Sequence, residues 1–341
     1  MKTTNHLELT VQELLAPGKG ILAADESNPT IEKRFQAINV ASTEENRRAY
    51  REMLFTAPGL SHFISGVILF DETLRQKSKD GIPFPQWLAK SGIIPGIKVD
   101  HGTTPLALFP DEKITEGLDG LRERFAEYAK LGARFAKWRA VISIGEKIPT
   151  LFGLEANAHA LARYAALAQE CGLVPIVEPE VLRDGDHGIE RCYEVTKRLL
   201  QRVFGALSAH RVRLEAMLLK PNMVTPGKNF PQLASVEDVA AMTLRCLRET
   251  VPVPVPGIVF LSGGQTEEQA TAHLNAMNRL GSAPWQLSFS YGRALQASAL
   301  KAWSGDPANI EAGQRALLHR AKLNSAARSG SYAAELEKEP G

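Results

Sequence analysis

"MLLKPNMVTPG", residues 217–227, places a lysine at the end of an apolar run with a proline directly behind it. Met217, Leu218 and Leu219 read as buried strand, and Pro221 biases Lys220 towards extended geometry and away from helix. A lysine at a buried strand end gives up water around its ammonium, so it needs a compensating role. Seven other runs have strand character: "GILAAD" (20–25), "FISGVILF" (63–70), "GIKVD" (96–100), "RFAKWRA" (134–140), "LVPIVEPE" (173–180), "GIVFLSGG" (257–264) and "LSFSYG" (287–292). Between most of them lie amphipathic segments such as "GLDGLRERFAEYAKLG" and "NAHALARYAALAQECG", with apolar residues at three- and four-residue steps. "SVEDVAAMTLRCLRET" opens with Ser-x-x-Asp, close to a capping box.

Eight strands interleaved with helices are compatible with an open doubly wound sheet. Eight such units without a Gly-x-Gly-x-x-Gly fingerprint favour an α/β fold closed as a single (β/α)8 TIM barrel. Extra N-terminal and C-terminal helical segments flank the eight units. A polar tail, "SYAAELEKEPG", follows from about residue 330 and need not be ordered. Residues 1–341 read as one domain.

The charge of +2 arises from 40 basic and 38 acidic residues mixed along the chain, with no basic stripe to suggest nucleic acid. No apolar run approaches the roughly 20 residues that cross a bilayer. The N-terminus, "MKTTNHLELTVQELLAP", has no secretory apolar core, so a cytoplasmic protein without a membrane partner is expected. Cys171, Cys192 and Cys246 form no C-x-x-C pair and are expected to be reduced thiols.

Side chains alternate along a strand, so inward positions can be read in steps of two. Ala23 and Asp25 share a face, as do Lys98 and Asp100, and Phe135, Lys137 and Arg139. Ile176, Glu178 and Glu180 share another, as do Leu218 and Lys220. Each of these strands turns ionisable at its last inward positions, and a barrel carries its active site at that end. Taken singly, each residue has a bland alternative: a snorkelling lysine, a solvated strand exit, a helix cap. Their concurrence at one mouth favours function.

Lys137 and Lys220 fall on the fourth and sixth strands, which contribute to a common layer. Mutual repulsion and desolvation are expected to release a proton from one of them. A neutral lysine forms a Schiff base with a carbonyl substrate, and Glu178 on the intervening strand can carry the protons. At the seventh and eighth strand ends, "LSGGQTEEQA" (261–270) and "SYGRALQA" (290–297) place Gly263, Gly264, Ser290 and Gly292 ahead of helices, with Arg293 adding a full charge. Two such turns at this address suit a phosphorylated ligand. "RDGDHGIERC" (183–192) could offer Asp184, Asp186 and His187 to a metal that would polarise a carbonyl. It also reads as a turn with Asp186 capping a helix, and the other histidines show no ligand spacing. No metal or other cofactor is expected.

These residues resemble class I fructose-bisphosphate aldolase, the Schiff-base-forming, metal-independent type. The resemblance extends from "LLAPGKGILAADES" (14–27) to "SYGRALQASALKAW" (290–303), through "STEENRRAYRE", "GVILFDETL", "DGIPFP", "FAKWR", "VPIVEPE", "LLKPNMVTPG" and "FLSGGQ". It implies cleavage of fructose 1,6-bisphosphate to dihydroxyacetone phosphate and glyceraldehyde 3-phosphate in glycolysis and its reverse, by a homotetramer. It further implies that Lys220 forms the Schiff base and Glu178 is the main proton carrier, assisted by Asp25, Lys137 and Glu180. Ser262, Gly263, Gly292 and Arg293 would hold the ketone-side phosphate, with Arg34 and Arg139 at the sugar's other end. The chain departs from animal members in reading "KVDHG" for "KVDKG", which puts His101 in place of a lysine near the second phosphate. A largely neutral imidazole attracts phosphate less, which weakens the expected preference for the bisphosphate over fructose 1-phosphate. It also ends in Pro340-Gly341 where animal members carry a tyrosine.

Overall fold

The computed structural model describes residues 2–281 and 283–338. Eight parallel strands close on themselves: β1 (Gly20–Ala24), β2 (Ile64–Leu69), β3 (Ile94–Lys98), β4 (Phe135–Ile142), β5 (Val174–Val181), β6 (Leu218–Leu219), β7 (Gly257–Phe260) and β8 (Gln286–Tyr291). Each pairs with its neighbours in sequence, and Ile21 opposite Ser290 joins the last strand to the first. All eight predicted strands are present. β6 is shorter than expected, because a 3-10 turn (Leu214–Ala216) precedes it and Pro221 offers no ladder donor beyond it. The Lys220 amide nevertheless donates to the Val177 carbonyl at 2.8 Å, which keeps this lysine on the barrel wall.

Strand alternation divides the apolar residues into two cores. Ile21, Ala23, Ile68, Ile94, Phe135, Val174, Ile176, Leu218 and Val259 pack inside the barrel with Leu7, Val11, Leu14 and Leu15. The last four belong to the N-terminal helix (Lys2–Leu14) and the residue that follows it, so this extra helix stoppers the barrel floor. The opposite strand faces meet the surrounding helices in a larger cluster. Phe135 crosses the interior beside Gly96, where an added Cβ would lie 2.3 Å from its ring. With the floor filled, the open end is the one where the ionisable residues gather.

Two features were not anticipated. An antiparallel hairpin, Thr103–Pro105 with Lys113–Thr115, follows β3; its strands are only three residues long and half exposed, too short to show a burial pattern in sequence. The polar tail is docked as far as Lys338, against the expectation that it need not be ordered. Glu337, in a 3-10 turn (Ala334–Lys338), pairs with the buried Arg320 at 2.5 Å and accepts from Tyr332 Oη at 2.7 Å. A buried guanidinium without a carboxylate would be costly, which explains the docking. Pro340 and Gly341, where the resemblance to animal members would put a terminal tyrosine, lie outside the described residues.

Candidate active site

At the C-terminal ends of the strands a cavity of about 960 Å³ opens. Every residue expected in the site lines it: Asp25, Arg34, Lys137, Arg139, Glu178, Glu180, Lys220, Ser262, Gly263, Gly264, Ser290, Gly292 and Arg293. Period-two reading thus brings residues more than 190 positions apart, such as Asp25 and Lys220, into one pocket.

At its base the groups form an alternating ionic chain. Asp25 Oδ2 lies 2.7 Å from Lys137 Nζ, Lys137 Nζ lies 3.1 Å from Glu178 Oε2, and Glu178 Oε1 lies 3.3 Å from Lys220 Nζ. Lys137, Glu178 and Lys220 are all buried. Burial disfavours the Lys137 ammonium, but Asp25, Glu178 and Asp100 outweigh it and hold this group well above the usual lysine range. Burial likewise opposes ionisation of Asp25, yet Lys137, Lys220 and Lys98 keep its carboxyl well below the usual range. This corrects the picture of two bare ammonium groups repelling each other, because Glu178 stands between them. Arg139 Nε meets Glu180 at 2.5 Å, and that carboxylate outweighs the effect of burial to keep the guanidinium firmly charged.

The turn after β7 has Gly263 at φ 51° and Gly264 at φ 80°, left-handed geometry that suits glycine. After β8, Gly292 leads directly into the helix Arg293–Trp303, and Gly292 and Arg293 line the cavity at that helix N-terminus. Ser290 Oγ is buried here without a protein partner. Arg34, expected at the sugar's other end, has its Nη2 3.9 Å from the position of the Cβ that Gly292 lacks. It therefore stands beside the glycine turns, whereas Arg139 lies across the pocket with Glu180.

Sequence reading missed the group that places Arg34. Glu26 is buried and pairs with Arg34, while its other oxygen meets the buried Arg51 at 2.6 Å. Gln296 donates to Glu26 at 3.0 Å and to the Ala23 carbonyl at 2.7 Å. Burial resists the Glu26 charge, but Arg34 and Arg51 prevail and lower its pKa. Glu26 lies just beyond β1, where strand alternation no longer assigns a face; the adjacent acidic pair in "ADES" was the available signal.

His101 lines the same cavity; burial, Arg124 and Lys98 together hold its imidazole below the ordinary range. In the metal-like segment, Asp184 pairs with Lys228 at 2.5 Å. The following helix (Ile189–Ala209) is preceded by Gly188 with no side-chain cap, so Asp186 does not cap it as expected. Among the described residues, no group of three or more His, Cys, Asp or Glu is arranged to hold a metal.

The sequence profile described as "Fructose-bisphosphate aldolase class-I" matches residues 6–340. A protein of Xanthomonas campestris pv. campestris named "Probable fructose-bisphosphate aldolase class 1" is 62% identical over 324 residues, 95% of this chain and 97% of the relative. "Fructose-bisphosphate aldolase 6, cytosolic" of Arabidopsis thaliana is 57% identical over 317 residues, 93% of this chain and 88% of the relative. A solved structure of fructose-bisphosphate aldolase from Plasmodium falciparum, in a ternary complex with TRAP and a small-molecule inhibitor, superposes with a TM-score of 0.97 at 51% identity. That match covers 98% of this chain and 97% of the other. The chain belongs to the class I fructose-bisphosphate aldolase family.

Proposed function

We propose that Lys220 is the imine-forming residue and Glu178 the principal proton carrier of the family's reaction, the reversible cleavage of fructose 1,6-bisphosphate to dihydroxyacetone phosphate and glyceraldehyde 3-phosphate. The observation that carries this reading is the buried contact of 3.3 Å between Lys220 Nζ and Glu178 Oε1 at the cavity base. Class I aldolases work through a lysine Schiff base without a metal.

Unprotonated Lys220 attacks the C2 ketone, and Glu178 protonates the departing hydroxyl as the iminium forms. The C4 hydroxyl proton then leaves and the C3–C4 bond breaks, its electrons drawn into the iminium. Of the two candidate bases, Glu178 fits better than Asp25, whose carboxyl is stabilised so strongly in its ionised form that it is a weak base. Asp25 instead anchors Lys137, which faces Glu178 from the side opposite Lys220. Proton return to C3 and hydrolysis of the imine release dihydroxyacetone phosphate. Ser262, Gly263, Gly264, Ser290, Gly292, Arg293 and Arg34 would hold the ketone-side phosphate, and Arg139, set by Glu180, the far end of the sugar.

Borohydride added during turnover is the direct test. It should reduce the iminium to a stable adduct on Lys220, read by mass spectrometry, and Lys220→Arg should give neither adduct nor cleavage, since a guanidinium stays protonated. Adduct on another lysine would overturn the assignment.

We further propose that the whole chain acts as one barrel domain in a cytoplasmic homotetramer. Exposed apolar groups support association: Leu108 is 98% exposed, and half-exposed Phe152 stacks on Phe109 at 4.7 Å. Light scattering on the purified protein measures the subunit number. The cytosolic name of the Arabidopsis relative supports the compartment, which cell fractionation tests.

A further inference from the structure

The carbonyl of Ser262 is held by a side chain that does not line the cavity. Gln265 is buried, and both its backbone amide (3.0 Å) and its Nε2 (2.9 Å) donate to Ser262 O. The same Nε2 lies 3.6 Å from Met223 Sδ, on the segment that follows Lys220. Its Oε1 meets Nδ1 of His273, a buried residue two turns into the helix Glu267–Leu280.

These contacts fix both the amide and the imidazole. A carbonyl oxygen only accepts, so Gln265 must present its NH₂ to Ser262 and its oxygen to His273. Nδ1 of His273 must therefore carry the hydrogen. Burial, with Arg183 adding repulsion, pushes the His273 imidazolium down to about 4, so the ring is neutral near pH 7. A neutral ring has one N–H, and its place at Nδ1 gives Gln265 a defined donor. Without it, Gln265 Oε1 would be buried with no donor, so the side chain would gain by turning away from Ser262, and the turn would lose its brace.

We infer that His273 and Gln265 are positioning residues for the turn at 262–264, holding its backbone in the conformation that receives a phosphate. The inference rests on the reading that this turn binds the ketone-side phosphate. A brace of this kind acts on binding in the ground and transition states alike, so its loss raises KM and leaves kcat nearly intact.

His273→Leu removes the donor, whereas His273→Asn keeps an N–H at the position of Nδ1. Gln265→Met fills the same space without either polar group and serves if His273→Leu does not fold. KM for fructose 1,6-bisphosphate and the inhibition constant of inorganic phosphate should both rise about threefold to tenfold in His273→Leu and Gln265→Met, the scale of one lost neutral hydrogen bond. His273→Asn should recover most of the difference, and kcat should stay within about twofold throughout. A role confined to stability predicts lower melting temperatures with unchanged constants, and that outcome overturns the inference. Ser262→Ala separates the two levels. If it weakens phosphate inhibition while the His273 and Gln265 variants do not, the brace is wrong and the phosphate site stands. If Ser262→Ala has no effect, the phosphate-site reading fails and the inference falls with it.

Discussion

Glu178 Oε1 lies 3.3 Å from Lys220 Nζ, and the same carboxylate turns its other oxygen to Lys137 at 3.1 Å. Lys137 thus anchors one oxygen of the carboxylate, and the other lies within reach of Lys220. Glu178→Gln preserves the shape but cannot carry a proton, so kcat should fall about 10²- to 10⁴-fold with a much smaller change in KM. Steady-state kinetics decide the first point, and the rate of borohydride trapping should fall in parallel. A kcat within tenfold of wild type would assign proton transfer to another group.

Lys137 couples stability to pH in two directions. Its own pKa is raised in the fold, so its contribution is complete below about 10.4 and declines as the pH climbs beyond that. Asp25 is depressed, so its contribution is complete above about 3.9 and is lost as the pH falls below it. The pair's stabilisation is therefore level from about pH 5 to pH 9. Lys137→Met leaves Asp25 buried without its main partner, which should cost about 3–5 kcal/mol in that window. Urea unfolding across pH should show the gap between wild type and variant narrowing below about pH 4, as protonation removes the stranded charge. A gap that widens in acid would contradict the electrostatic account.

Gly96 tests the barrel floor, where no chemistry occurs. An alanine Cβ would lie 2.3 Å from the Phe135 ring, which is fully buried between strands and cannot swing away. Gly96→Ala should destabilise the fold by about 1–3 kcal/mol or more through overpacking. Gly96→Ala with Phe135→Leu should regain part of that, because the shorter side chain vacates the space. Additive losses in the double variant would mean that the two residues do not press on each other.

The reading of sequence succeeded where periodicity and position agreed. Glu178 and Lys137 could be placed because each ends an inward series begun by an apolar residue, Ile176 or Phe135, both now in the interior core. The glycine turns could be located at the cavity because Gly263, Gly264 and Gly292 follow the ends of strands seven and eight. What escaped was carried by contacts outside the strands. Glu26 depends on Arg51 from the helix Glu44–Phe55 and Gln296 from the helix after β8. Arg34 was placed by the family resemblance alone, because no periodicity governs how a long side chain leaves the helix Asn28–Gln36. His273 and Gln265 are eight residues apart, and only the packed helix brings them together.

At one end of the cavity most cations are committed to carboxylates. Towards His101, Lys98 is held by Asp100 at 2.7 Å, Arg139 by Glu180 at 2.5 Å, and Arg75 by Asp71 and Glu127 at 3.1 and 2.5 Å. These pairs leave little net positive charge for a second phosphate, and the imidazole adds little near neutrality, since burial, Arg124 and Lys98 lower its pKa. His101→Lys should therefore reduce KM for fructose 1,6-bisphosphate by about tenfold, the scale of one added charge-assisted hydrogen bond. Fructose 1-phosphate, which lacks the second phosphate, should be cleaved with unchanged kcat/KM. In wild type, acidification to below the ordinary histidine range charges the imidazole, since its pKa is lowered, and should favour the bisphosphate over the monophosphate. In His101→Lys that drift should vanish, because the ammonium is already charged across the range. If both substrates respond equally to the substitution, residue 101 does not face the second phosphate, and the discrimination must come from Arg139 or from outside this wall.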